Sequence, residues 1–147
     1  MARVRFADYT DADLAECLDI FDANCPEFFA PNEREDYLQF LSSIPAGYEV
    51  CRLGERLAGA YGLLRNGDQR AALNWILISP SVQGEGIGTS IMERVLEKSK
   101  AHGFAVVAIA ASHKSAPFFA RFGAVTIETT ADGWGPRMHR VDMELRP

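Results

Sequence analysis

The sequence is poor in cysteine: Cys17, Cys25 and Cys51 are widely spaced and odd in number. No pair has the short spacing of a zinc-binding motif, and three thiols do not make the even disulfide framework of a small secreted domain. A basic start followed by an apolar run and a small-residue cleavage site is missing. No stretch reaches the roughly 18 consecutive apolar residues of a membrane span. The expectation is a reduced, cytoplasmic protein without a membrane partner. Positive charge is in deficit, with 15 Lys and Arg against 20 Asp and Glu and a formal net charge of −5. Proteins that grip a duplex draw most of their affinity from neutralising phosphates, so nucleic acid is not an expected partner. The acidic excess is compatible with a cationic acceptor. Linkers, repeats and low-complexity tracts are absent as well. What remains is 147 residues with 48% hydrophobic and 24% charged, read as one domain over residues 1–147. A chain of that length can bury roughly two-thirds of its unfolded surface.

The apolar pattern alternates between two periods. Val4–Phe6 is a short strand. Thr10 with Asp13 forms a helix-start signal, and Leu14, Leu18 and Phe21 give residues 11–23 a helical inner face. Pro26 stops that helix. Asn32 with Glu35 signals a second start, and Tyr37, Leu38 and Leu41 give its inner face. Residues 48–53 and 57–64 read as a hairpin, Asn66–Gly67 as a second hairpin turn, and 71–78 as a central strand covered on both faces. Ile87, Ile91 and Val95 mark a long helix up to His102, with Gly103 as its C-terminal stop. A strand over 105–110 then completes a right-handed parallel crossover. Pro117 opens another helix that Gly123 ends. Residues 124–130 and 137–145 close the chain as an antiparallel pair around a loop at 132–136. The fold class is mixed α/β.

The chemistry is concentrated in Leu77-Ile-Ser-Pro-Ser-Val-Gln-Gly-Glu-Gly-Ile-Gly-Thr89, which joins the central strand to the start of the long helix. Unpaired N–H groups and the helix dipole make such a start an anion site. Glycines at alternate positions remove the side chains that would hold a phosphate away. The inference is a phosphate or pyrophosphate cradle. A nucleotide P-loop needs a lysine after its last glycine, and Gly88 is followed by Thr89 and Ser90. A dinucleotide fold wants an acid at the end of the next strand, which here reads Ile109-Ala-Ala-Ser112. Both readings are disfavoured.

The run Ile78-x-Pro80-x-x-Gln83-Gly84-x-Gly86-Ile87-Gly88 resembles the cofactor motif of the GNAT family of N-acetyltransferases. Residues 115–124, Ser-Ala-Pro-Phe-Phe-Ala-Arg-Phe-Gly-Ala, are similar to the family's second signature, with Ala124 where a phenylalanine is usual. The order of elements is similar over the whole chain. The resemblance implies a central mixed, largely antiparallel sheet splayed between its fourth and fifth strands and flanked by about four helices. It implies acetyl-CoA as co-substrate, no metal, and direct transfer to a primary amine, taken to be that of a small molecule. The alternatives are a protein or peptide N-acetyltransferase, or a catalytically weak acyl-CoA-binding module. The protein is expected as monomer or homodimer.

Residue by residue, the resemblance implies that Gln83, Gly84, Glu85, Gly86, Ile87, Gly88 and Thr89 bind the pyrophosphate. The backbone of Ile76, Leu77 and Ile78 would pair with the pantetheine arm as an added strand. Ser112 stands where many relatives have an asparagine that contacts the cofactor arm, and Ser112 and Phe119 are expected among the cofactor-binding residues. Phe119 stands where many have a tyrosine that protonates the leaving thiolate, and Ala72 where many have a glutamate base. Asn74 lies nearby and is no base. His113 and Ser115 are therefore the catalytic candidates, set against the competing readings of a solvated loop histidine and a helix N-cap. Glu27 and Glu33 flank Phe28–Phe29 in the loop between the first helices, a region that in relatives forms one wall of the acceptor site. Glu27, Phe28, Phe29 and Trp75 are the candidate acceptor-binding residues. Tyr61 and Trp134 line that cleft or cover an edge of the fold, and Asp132 and His139 lie near the last hairpin. No partner base can be placed beside Cys25, so an adventitious loop cysteine is the preferred reading over a nucleophile.

Overall fold

The computed structural model describes residues 4–82 and 84–147. Among these residues the chain forms seven strands: β1 (Val4–Asp8), β2 (Tyr48–Leu53), β3 (Arg56–Gly67), β4 (Arg70–Ile78), β5 (Val106–Ser112), β6 (Val125–Gly135) and β7 (Met138–Leu145). The helices are α1 (Leu14–Ala23), α2 (Glu33–Ser42), α3 (Ile87–Ala101) and the short α4 (Ala116–Ala120). One sheet runs in the order β1-β2-β3-β4-β5-β7-β6. Its β4–β5 pair is parallel and the others are antiparallel. This is the expected mixed sheet, with α3 as the crossover.

The apolar residues divide between the two faces. On one side Cys17, Ile20 and Phe21 of α1 and Tyr37 and Leu41 of α2 pack on Tyr48, Val50 and Leu77. On the other, Ile87, Ile91 and Val95 of α3 and Phe119 of α4 pack on Tyr61, Leu73, Val107 and Ile109. Alternation along β2 therefore turns Glu49 to the α3 side. There its carboxylate accepts bonds from Arg94 at 2.7 and 2.9 Å and from the Tyr61 hydroxyl. Gly103, at φ +72°, ends α3 as its position suggests.

Two expected turns lie elsewhere, and one expected side-chain cap is not made. The β3–β4 turn is Asp68–Gln69 instead of Asn66–Gly67. Asn66 is taken up by a bulge, Gly67 still pairs with Arg70, and Gln69 adopts φ +57°. Helix α2 begins at Glu33, and Asn32 does not cap it. The Asn32 amide instead donates to the Trp134 carbonyl at 2.9 Å. Strand β6 runs on to Gly135, and the turn is at Pro136–Arg137. Between the pairs Thr130–Arg140 and Gly135–Met138, residues 131–134 bow out of the ladder opposite the single residue His139. That bow delivers Trp134 to the site.

Candidate active site

The site begins where two strands part. β4 and β5 pair from Arg70–Val106 to Leu73–Ile109 and no further, although both strands continue. The cause lies in β4. Gly62 pairs with Asn74 and Ala60 with Leu77, so Tyr61 alone faces both Trp75 and Ile76. Such a bulge bends and twists the strand that carries it. Trp75 sits at φ +44°, an unfavourable conformation for a bulky residue.

Side chains from other elements hold the parted strands. The Tyr48 hydroxyl donates to the Trp75 carbonyl at 2.7 Å and lies 2.8 Å from the Tyr37 hydroxyl. The Asn24 amide donates to the carbonyls of Ile20 and Ile78, each at 2.9 Å. On the β5 side, the Trp134 indole donates to the Ala111 carbonyl at 2.9 Å. Burial pushes the Tyr37 and Tyr48 phenols far above their usual range, so both remain neutral.

The glycine turn lies beyond the end of β4. Gly84 and Gly86 adopt φ +84° and +77°, and a Cβ at either would meet nothing within 4 Å. Their conformation favours glycine, and the space above them is free for a ligand. The Ser90 N–H bonds to the Gly86 carbonyl at 2.9 Å. The amides before it, on Ile87, Gly88 and Thr89, belong to the first turn and have no partner within the helix. Gly88 serves a different purpose: a Cβ there would lie 2.9 Å from the Phe118 ring and 3.0 Å from Ile78. Its missing side chain lets α4 pack on the first turn of α3. Gln83 lies outside the described residues.

One cavity of about 900 Å³ joins this turn to the gap between β4 and β5. Ile76, Leu77, Ile78, Gly84, Gly86, Ile87, Gly88, Thr89, Ser112, Ser115, Phe119, Phe28, Phe29 and Trp75 all line it. Glu27 and Glu85 are exposed and are not among its lining residues. His113 is not among them either. Its Nδ1 accepts the His139 N–H at 3.1 Å and its own N–H donates to the His139 carbonyl at 2.9 Å, which ties the end of β5 to β7. Ser115 and Ser112 bond to each other: each hydroxyl oxygen accepts the other residue's N–H at 3.1 Å. This is how a turn into a short helix is closed.

The structure adds residues that the sequence reading did not assign to the site. Asn24, Asn74, Lys114 and Arg121 line the cavity, as does Trp134, for which the sequence left the cleft and the fold edge both open. The Asn74 Oδ1 is buried and has no hydrogen-bond partner among the described residues. Glu33 also lines the wall, only 5% exposed, with Oε2 accepting the Ala30 N–H at 2.8 Å. Burial raises its pKa to about 7; the Ala30 bond acts in the opposite direction, and Asp36 adds to the rise. The signal that could have found it was local: a glutamate three residues after Ala30 can fold back onto that residue's N–H and so turn inward. Burial likewise raises the Cys25 thiol, so it is no ready thiolate. Among the described residues no group of three or more His, Cys, Asp or Glu is placed to hold a metal, and no helix is long and apolar enough to cross a membrane.

Known proteins share this fold. The family model described as acetyltransferase (GNAT) family matches residues 14–124. No curated protein matches the sequence. The fold is similar to the ribosomal-protein-S18-alanine N-acetyltransferase of Escherichia coli, at 16% identity over 98% of this chain and 94% of that one, TM-score 0.78. It is similar to Ard1 from Thermoplasma volcanium, at 12% identity over 97% of each chain, TM-score 0.81. It is also similar to the PaiA N-acetyltransferase of Thermoplasma acidophilum in complex with coenzyme A, at 13% identity over 99% of each chain, TM-score 0.75. A family match over most of the chain, on a sheet parted beside a glycine turn, places this protein in the GNAT acetyltransferase family.

Proposed function

We propose that the protein transfers an acetyl group from acetyl-CoA to the primary amine of a small molecule within a ternary complex. The observation that carries this reading is the single cavity running from the open glycine turn, through the β4–β5 gap, to an aromatic wall. The residues fit the co-substrate. The amides of Gly86, Ile87, Gly88 and Thr89 face the pyrophosphate at the positive end of α3. Lys114 and Arg121 supply the cations on the cavity wall. The edge of β4 over 76–78 takes the pantetheine arm as a strand would. The thioester carbonyl then lies in the gap, where a β4 N–H polarises it.

A small acceptor is favoured by the closure of the far side. The Asn32 amide bonds to the Trp134 carbonyl at 2.9 Å, and Gly135 abuts Ala30 so closely that a Cβ there would lie 2.9 Å from it. The α1–α2 loop and the β6–β7 hairpin thus meet over the acceptor end, which disfavours an internal lysine presented on a polypeptide. With Phe119 unable to donate, the Ser115 hydroxyl on the cavity wall is the candidate proton source for the thiolate. The test is a free-thiol assay of acetyl-CoA with a broad amine panel, products identified by mass spectrometry. Thiol release with an acetylated small amine is expected. Silence across the panel with intact CoA binding would contradict transfer.

A further inference from the structure

We propose that Glu33 takes the proton from the acceptor's ammonium group, and that the acceptor is a monoamine carried on an apolar, ring-sized body. This rests on the acetyl-transfer reading above.

An amine reaches the site at neutral pH mostly as an ammonium ion, which has no lone pair with which to attack. Something in the cavity must pair with it and remove a proton. Among the described residues lining the cavity, Glu33 is the single carboxylate. One of its oxygens is held by the Ala30 N–H at 2.8 Å, and Oε1 takes none of the hydrogen bonds found among the described residues. The carboxylate is thus fixed at one end and free at the other. Phe28, Phe29, Trp75 and Trp134 share the cavity wall with it. One carboxylate matches one ammonium, and the aromatic surface matches an apolar body. A polyamine would leave further charges, and an amino sugar its hydroxyls, unpaired beside that surface, which is costly.

The groups that set its protonation are few. Asp36 stands one turn along α2, and the Cys25 thiol faces it from the preceding loop. β4 presents Trp75 and Asn74, and β6 presents Trp134, none of them charged; Lys114 and Arg121 share the cavity wall. Asp22 and Arg34 pair with each other at 2.8 Å on the outer surface. Burial then leaves Glu33 with a pKa of about 7, suited to accepting a proton near neutrality.

The protons balance. Glu33 carboxylate takes one from R–NH3+, leaving R–NH2 and a carboxylic acid. The nitrogen lone pair forms the C–N bond at the thioester carbonyl. The C–S bond then breaks, the sulfur leaving with its electron pair. A second proton from nitrogen passes to the thiolate, directly or through the Ser115 hydroxyl, giving the amide and CoA thiol. Glu33 returns its proton to solvent.

The test compares wild type with Glu33→Gln, which keeps an oxygen for the Ala30 N–H. CoA affinity is measured by calorimetry, and transfer to 2-phenylethylamine and to spermidine is followed across the neutral range. The expected result is equal CoA affinity in both proteins and preference for 2-phenylethylamine over spermidine. Wild-type rate should fall on the acid side of about pH 7. In Glu33→Gln the break near pH 7 should vanish, the rate instead climbing steadily toward the amine's own pKa as free amine becomes available. Its kcat should drop roughly 100-fold or more. A variant that keeps the wild-type rate and that break would overturn the role of Glu33. Acetylation of spermidine but not of 2-phenylethylamine would overturn the substrate class while leaving acetyl transfer intact. Failure of wild type to bind CoA would overturn the acetyl-transfer reading and this inference with it.

Discussion

Two glutamates on opposite faces of the sheet show how environment divides identical side chains. Glu49 is held near a pKa of about 2, chiefly by its hydrogen bonds from Arg94. Glu33 is buried among apolar groups with one N–H donor and is raised to about 7. Their contributions to stability run in opposite directions with pH. Between about 4.5 and about 7 native Glu33 keeps its proton while the unfolded chain has lost it, so stability falls as pH rises through that window. Glu33→Gln should remove this decline, worth about 3 kcal/mol at most, and leave the variant more stable than wild type at pH 8. Urea melts at several pH values check it. An unchanged slope would mean that Glu33 titrates normally. The sequence put Glu33 in the loop between the first helices, whereas it is the first residue of α2, and its inward turn was not shown because that depends on the Ala30 N–H.

At the scale of elements, the parting of β4 and β5 depends on a bulge held in place by remote hydroxyls. Tyr48→Phe would leave the Trp75 carbonyl without its donor, at a cost of about 1–3 kcal/mol. The gap should relax, and acetyl transfer should fall more than CoA affinity; equal losses in both would argue against a local effect. The α3 face offers a second test. Arg94→Leu removes the main partner of Glu49, so the stability that wild type holds above about pH 4.5 and loses as pH falls toward 2 should be missing. The expected difference at neutral pH is about 1–2 kcal/mol, because Tyr61 and Lys98 still hold Glu49 and Arg94 is partly in solvent. The described helices and strands were legible in order from hydrophobic periodicity and from stop signals such as Pro117 and Gly123, although β6 runs five residues past its expected end at 130. The bulges were not. Asn66–Gly67 has turn chemistry, yet strand pairing carried the turn two residues on, and nothing local to Trp75 announces φ +44°. Both are decided by how the ladders on either side align.

For the whole molecule, the sheet order brings one end of α3, the parted strands, the α1–α2 loop and the β6–β7 hairpin around one space. A ligand that bridges these parts stabilises the fold by mass action, by about 2.7 kcal/mol at a hundredfold excess over Kd. Acetyl-CoA should therefore raise the melting temperature by roughly 5–10 °C. Gly86→Asp, which sets a carboxylate against the phosphates, should melt with little response to the ligand. An equal shift in both proteins would show that binding does not use the turn. The glycine spacing made this part of the site readable from sequence. The acceptor end was less so, because Trp134 arrives from a bowed segment far along the chain.

The most direct test is a crystal structure of the protein with coenzyme A. The pyrophosphate should lie within hydrogen-bonding distance of the N–H groups of Gly86, Ile87 and Gly88, with the pantetheine arm along residues 76–78. A coenzyme bound elsewhere, with that turn unoccupied, would contradict the account.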